Sequence, residues 1–256
     1  MKDPIVLIGI GEMGGVFARG FLRAGHPVYP VTRAMDIEAE SRQLPEPALA
    51  LLAVAEKDLQ ASLERIPAPW RERLGLLQNE LLPRDWEAHA IPSPTVISVW
   101  FEKKPGQDVK IVVPSPIHGP HAGLLHGALG ALDIPTFIVP DREALLFELV
   151  RKNLYILTTN VAGLEVGGDV RRLWEDHEDI AREVASDVLE IQDWLTGRHH
   201  PREPLIKGML DAFQGDPEHK CMGRSAPARL ERALKLADEA GLEVPTLRRI
   251  AAAQAS

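Results

Sequence analysis

The chain has 256 residues, 45% hydrophobic and 26% charged, enough for one large or two modest domains that each bury a core. A formal net charge of −8 argues against general affinity for nucleic acid or an anionic membrane surface, so any bound anion must be held locally. A single cysteine, Cys221, excludes an internal disulfide framework, and no apolar run approaches the roughly 18 residues of a membrane helix.

Residues 1–4 are too short to act as a targeting segment, and a cytoplasmic location is expected. The apolar run Ile5-Val6-Leu7-Ile8 then passes into Gly9-Ile10-Gly11-Glu12-Met13-Gly14. Val16, Phe17, Phe21 and Leu22 follow at helical spacing, and Gly25 marks a helix end. Strand, glycine turn and helix in this order predict a dinucleotide-binding turn, with a plain glycine-rich turn of another α/β fold as the alternative. Gly9 permits the tight turn, Gly11 lets backbone approach a pyrophosphate, and Gly14 lets helix pack close to strand. The free N–H groups at the helix start, over Ile10, Glu12 and Met13, then face the phosphates.

Val28-Tyr29-Pro30-Val31 supplies the second strand, and the residue after it selects the dinucleotide. A carboxylate there suits the ribose hydroxyls of NAD, whereas a cation suits the 2′-phosphate of NADP. Thr32-Arg33 follows directly and Asp36 lies beyond the strand end, so the expected cofactor is NADP, read by Arg33. An arginine that is merely on the surface is the alternative.

Residues 34–47 are polar, with two prolines, and predict an irregular loop. The run 48–54 predicts a parallel strand covered on both faces, and Leu59, Leu63 and Ile66 a helix closed by Pro67. A further strand over 74–77 delivers Gln78-Asn79-Glu80 at its carboxyl end, where open α/β sheets bind ligands; Asn79 is a candidate site residue, with a turn asparagine as the alternative. Residues 95–101 and 109–113 predict a hairpin, 114–120 a proline-rich loop, 121–132 a helix and 135–139 a last strand. Neither His118, His121 and His126 nor His199, His200, His219 and Cys221 show a recognisable ligand spacing, and no metal site is expected.

From Asp141 strand-like runs vanish and helical periodicity takes over, which divides the chain into an α/β Rossmann-type domain, 1–140, with a parallel sheet, and an all-helical domain, 141–256. Asp141 is placed to cap a helix reaching about Ala162. Ile180, Val184, Val188, Ile191 and Leu195 line one face of a second helix. Leu230, Leu234 and Ala237 mark a third, stopped by Gly241; Val244-Pro245 opens a last one that frays over 251–256.

The order of these features resembles the ketopantoate reductase (2-dehydropantoate 2-reductase) family. The likeness rests on the spaced glycines with Arg33, on Leu77-Gln78-Asn79, on Arg151-Lys152 with Asn160 eight residues on, and on Ala240-Gly241-Leu242-Glu243-Val244-Pro245. It implies an NADPH-dependent enzyme, with Lys152 as the catalytic lysine that protonates the substrate oxygen, Asn79 between cofactor and substrate, and Asn160 on the lysine's helix. Residues eight apart on a helix fall near one face, about 12 Å along the axis. Ile156 stands where the family has an asparagine, and Met222-Gly223-Arg224-Ser225-Ala226-Pro227 has no counterpart of its Thr-Glu-Ile-Asp motif; one alignment puts Ser225 at the glutamate and another Pro227.

The expected function is therefore NADPH-dependent reduction of a small 2-keto acid. Lys152 is the general acid, Asn79 and Asn160 orient nicotinamide and substrate, and Arg224, with Ser225 beside it, holds a substrate carboxylate. The resemblance also implies a possible homodimer, paired through the helical domain. The alternative is a dinucleotide-binding sensor or scaffold without this chemistry. A β-hydroxyacid dehydrogenase would want paired asparagines three residues after the lysine, where this chain has Tyr155-Ile156.

Overall fold

The computed structural model describes residues 2–254. The chain forms two compact units, Met1–Glu148 and Leu149–Ser256.

The first unit is built on β1 (Ile5–Ile8), α1 (Glu12–Arg23), β2 (Val28–Val31), α2 (Ile37–Gln43) and β3 (Leu49–Leu52). After a 3-10 turn at Glu56–Asp58 come α3 (Leu59–Glu64), α4 (Ala68–Arg71), β4 (Leu74–Leu76), α5 (Pro83–Glu87) and β5 (Thr95–Ile97). The unit continues with β6 (Phe101–Glu102), β7 (Lys110–Ile111), β8 (Ser115–His118), α6 (Ala122–Gly130) and β9 (Thr136–Ile138). Seven strands make one sheet in the order β2-β1-β3-β4-β5-β8-β9, parallel from β2 to β5, with β8 antiparallel to β5 and β9 parallel to β8.

The central strands are continuous apolar runs because both of their faces are covered: every residue of β1 and β3 is buried. Pro30 fits the opposite situation, since β2 is an edge strand and its missing N–H removes no ladder bond. One face of the sheet carries α1 and α6. Phe17 and Phe21 of α1 and Leu125 and Ala128 of α6 pack there with Ile5, Leu7, Leu49 and Leu51. The two helices approach at Gly20, where an added Cβ would lie 2.5 Å from the Ala128 carbonyl oxygen. Gly20→Ala is therefore expected to cost about 2 kcal/mol, the range of an overpacked core site, read as a lower denaturant midpoint.

Three sequence expectations change. The segment 34–47 is not an irregular loop but contains α2: Asp36 accepts the N–H groups of Glu38 (3.1 Å) and Ala39 (3.4 Å), and Ile37 and Ser41 are buried one turn apart. With one apolar residue on its inner face, this helix carries no periodic signal. Residues 115–118 are not loop but β8, an interior strand despite Pro116. That proline lies opposite Ser98, beyond the last β5 pair, and gives only its carbonyl, which accepts the Ser98 N–H at 3.0 Å. The hairpin exists only as the two-residue pairs β6 and β7, while Thr95–Ile97 belongs to the main sheet.

The second unit is helical: most of α7 (Arg142–Val166), then α8 (Val170–Asp176), α9 (Glu178–Thr196), α10 (Arg202–Gly215), α11 (Ala226–Ala240) and α12 (Pro245–Gln254). Asp141 accepts the Ala144 N–H at 2.8 Å, the cap expected at the start of α7. Asn153 of α7 donates to Gln192 of α9 at 3.0 Å, and Asp187 of α9 accepts the first N–H groups of α12, Thr246 (2.8 Å) and Leu247 (3.0 Å). Among the described residues no helix is long and apolar enough to cross a membrane.

Candidate functional site

In the strand order β2-β1-β3 the chain passes from β1 to β2 on one side and then crosses back to place β3 on the other, so a crevice opens at the carboxyl ends of β1 and β3. A cleft of about 450 Å³ lies there. Gly9, Ile10 and Gly11 form one rim, Thr32 and Arg33 another, and Ala53, Val54, Ala55, Asp58, Ser62 and Arg65 a third.

The glycine turn is shaped by two contacts. Gly9 has φ +95°, and a Cβ there would lie 2.6 Å from the Ala53 carbonyl oxygen; at Gly14 a Cβ would run into the Gly9 carbonyl oxygen. Gly11 differs, because nothing lies within 4 Å of its absent Cβ. The space beside it is open to a ligand. The first α1 bond runs from Gly15 N–H to Gly11 C=O at 2.8 Å, which leaves the N–H groups of Glu12, Met13 and Gly14 directed out of the helix start. Ile10 is 57% exposed at the tip of the turn. A bare backbone cradle, a helix N-terminus and an open apolar rim fit the diphosphate and adenosine of a dinucleotide.

Arg33 stands at the far end of the cleft, its Nη2 2.7 Å from Asp58 Oδ2. Asp36, the competing carboxylate, is occupied in capping α2 and does not line the cleft. The spacing of Asp58, Ser62 and Arg65 places them in one stripe along α3, beside the stripe of the buried Leu59, Leu63 and Ile66. That amphipathic division was present in the sequence, but it points to a ligand only once β1 and β2 are known to end there. Lys103 is likewise a structural finding: its ammonium lies 3.0 Å from the Glu12 carboxylate in the first turn of α1.

Gln78 and Asn79 follow β4. Gln78 is buried and clamps two strand ends: its Nε2 donates to the carbonyls of Leu52 (2.7 Å) and Val54 (3.4 Å), and its Oε1 accepts the Leu77 N–H at 3.1 Å. The half-buried Asn79 comes next, its carboxamide without a hydrogen-bond partner among the described residues. Gln78 thus fixes the backbone from which Asn79 projects.

No protein-family model and no curated protein sequence matches the chain. Solved structures do. The 2-dehydropantoate 2-reductase from Methylococcus capsulatus superposes with a TM-score of 0.69 at 14% identity, over 98% of this chain and 95% of that one. The fold is that of ketopantoate reductase. A dimeric ketopantoate reductase from Staphylococcus aureus gives 0.64 at 16% identity, over 97% and 96% of the two chains. D-mandelate dehydrogenase, in a ternary structure with NADH and anilino(oxo)acetate, gives 0.65 at 10% identity over 96% of each.

In the helical unit of this ketopantoate reductase fold, Lys152 is half-buried on α7 with its Nζ 5.6 Å from the centroid of the Tyr155 ring. Asn160, two turns on, is 9% exposed and engaged at both ends: Nδ2 donates to the Ile156 carbonyl at 2.9 Å, and Oδ1 accepts from Arg229 Nη1 at 3.2 Å. Gly163 admits Cys221, whose Cβ would be 2.8 Å from an added Cβ there, and Gly223 then lies beside Asn160. Arg224 and Ser225 are exposed ahead of α11, where Ser225 takes the N-cap position without a side-chain cap bond. Arg229, one turn later, is the arginine that contacts Asn160.

The remaining reactive groups have structural tasks. Burial, with the negative Asp169 nearby, pushes the Cys221 thiol up to about 12, far from a nucleophile's range. His118 Nδ1 pairs with the Val139 carbonyl (3.1 Å), His126 Nδ1 with Thr136 Oγ1 (2.7 Å), and His199 Nδ1 with the Asp193 carboxylate (2.8 Å).

Proposed function

We propose that the protein is an NADPH-dependent reductase of a small 2-keto acid. The observation that carries this reading is the cleft at the β1/β3 switch point, where an open Gly11 and a helix start meet Arg33 at the far end. The glycine turn, through Gly9 to Gly14, holds the diphosphate, and Arg33 grips the 2′-phosphate as a guanidinium can, with two parallel bonds. When bound, a reduced nicotinamide supplies hydride to a carbonyl carbon.

Lys152 then serves as general acid. A ketone taking up hydride develops negative charge on oxygen, which an ammonium both stabilises and protonates. Asn79 orients the nicotinamide, and Asn160, held by Arg229, orients the substrate. Arg224 and Ser225 remain candidates for the carboxylate of the keto acid. Work as a homodimer in the cytoplasm completes the reading, supported by the neighbour described as dimeric.

The test is consumption of NADPH, followed in the nicotinamide absorbance band, across a panel of 2-keto acids. Turnover of at least one supports the reductase. Tight NADPH binding with no turnover across the panel supports a sensor or scaffold, a reading favoured by the buried apolar Ile156 beside Asn160.

Arg33→Ala separates the cofactors. Loss of one charge-assisted contact to phosphate is expected to weaken NADPH about 10- to 100-fold and NADH less than about twofold, measured by titration calorimetry. Equal losses would remove the basis for choosing NADP.

A further inference from the structure

The wall of the cleft that faces Arg33 carries charges of both signs. Arg33 is paired with Asp58 at 2.7 Å, and the side chains are 88% and 33% exposed. Such a pair is held weakly and is open to exchange with a more highly charged partner. Arg65 lines the same cleft and has no ion-pair partner among the described residues. Ser62, between them on α3, turns its hydroxyl proton to the Asp58 carbonyl at 2.7 Å, leaving its oxygen as an acceptor toward the cleft.

A phosphate on the adenosine ribose meets two guanidinium groups here, but also a carboxylate that already occupies one of them. A ribose without that phosphate meets a carboxylate able to accept its hydroxyls, as in sites that take NAD. The cleft thus contains the elements of both solutions. We propose that Asp58 and Arg65 are the residues that set cofactor preference: Asp58 competes with the 2′-phosphate for Arg33 and accepts the ribose hydroxyls of NADH, while Arg65 is a second phosphate ligand. The protein then accepts both reduced nicotinamide dinucleotides, with the margin between them fixed by these two side chains. This inference rests on the dinucleotide reading of the cleft.

Asp58→Asn and Arg65→Gln test it in the full chain. The first change is isosteric, and the second shortens an exposed side chain and removes its charge. The Asp58 side chain makes no cap bond to α3, and Arg65 is exposed at the end of that helix, so the one internal contact the changes touch is the exposed pair of Asp58 with Arg33. NADPH and NADH are titrated calorimetrically into wild type and both variants. Wild type is expected to bind both. Asp58→Asn is expected to tighten NADPH about threefold to tenfold and to weaken NADH by a similar factor, the span of a single exposed charge. Arg65→Gln is expected to weaken NADPH about tenfold and NADH less than about twofold, with a shallower salt dependence for NADPH.

Wild type that binds NADPH without measurable NADH binding overturns the inference, as do variants that shift the two nucleotides alike or leave both unchanged; in each of those cases the reductase reading stands. Wild type that binds neither nucleotide overturns both.

Discussion

Gly11→Val is expected to abolish NADPH binding while leaving the protein folded. The three glycines of the turn differ in what surrounds them. At Gly9 a side chain would meet the Ala53 carbonyl at 2.6 Å with φ at +95°, and at Gly14 it would strike the Gly9 carbonyl, so substitutions there damage the fold itself. At Gly11 there is no neighbour within 4 Å and φ is an ordinary −71°. A valine side chain fits the isolated protein but fills the space in which a diphosphate approaches backbone. The expected loss of NADPH affinity is at least about 100-fold, or about 3 kcal/mol. The cost in stability is about 1 kcal/mol, from a β-branched residue at a helix N-cap. Calorimetry with NADPH and a denaturation curve separate the two effects, and normal nucleotide binding by Gly11→Val would move the site elsewhere.

Lys152→Ala carries the second large effect. The ammonium is half-buried on α7, where it lies over the Tyr155 ring, and its proposed task is to protonate the oxygen that receives charge during hydride transfer. Removing a positioned general acid is expected to lower kcat by about 10²- to 10⁴-fold. NADPH affinity is expected to stay within about twofold, because no role in binding the dinucleotide phosphates is assigned to this residue. Steady-state rates with the best 2-keto acid, beside NADPH titrations of the same variant, read both quantities. Turnover unchanged in Lys152→Ala would assign the proton to another group.

The sequence carried the sheet's framework because the strands that build it are covered on both faces. Such strands must be apolar throughout, and Ile5–Ile8 and Leu49–Leu52 stand out against charged flanks. The glycine turn was legible for a similar reason: each glycine answers a local demand of the backbone, visible in order along the chain. α2 and β8 were not legible. The first is a short helix with one apolar residue facing inward, and the second is a strand that tolerates Pro116 because the proline lies past the end of its antiparallel partner. Both depend on neighbours distant in sequence.

The same division runs through the candidate site. Arg33 could be read from its place after β2, but its ion pair with Asp58, 25 residues on, could not. Asp36 looked like a rival carboxylate until its oxygen was seen to cap α2. In the helical unit, spacing along α7 put Lys152 and Asn160 near one face, a property of a single helix. The contact of Asn160 with Arg229 links residues 69 apart, and no local pattern announces it. α10 was missed although Leu205, Met209, Ala212 and Phe213 are buried along it, because Pro204 and Gly208 interrupt the helical signal.

The most direct measurement is calorimetric titration of the wild-type chain with NADPH. The expected result is one saturable site per chain, lost in Gly11→Val and weakened in Arg33→Ala. Absence of binding by both NADPH and NADH, in protein shown to be folded, would contradict the account at its base.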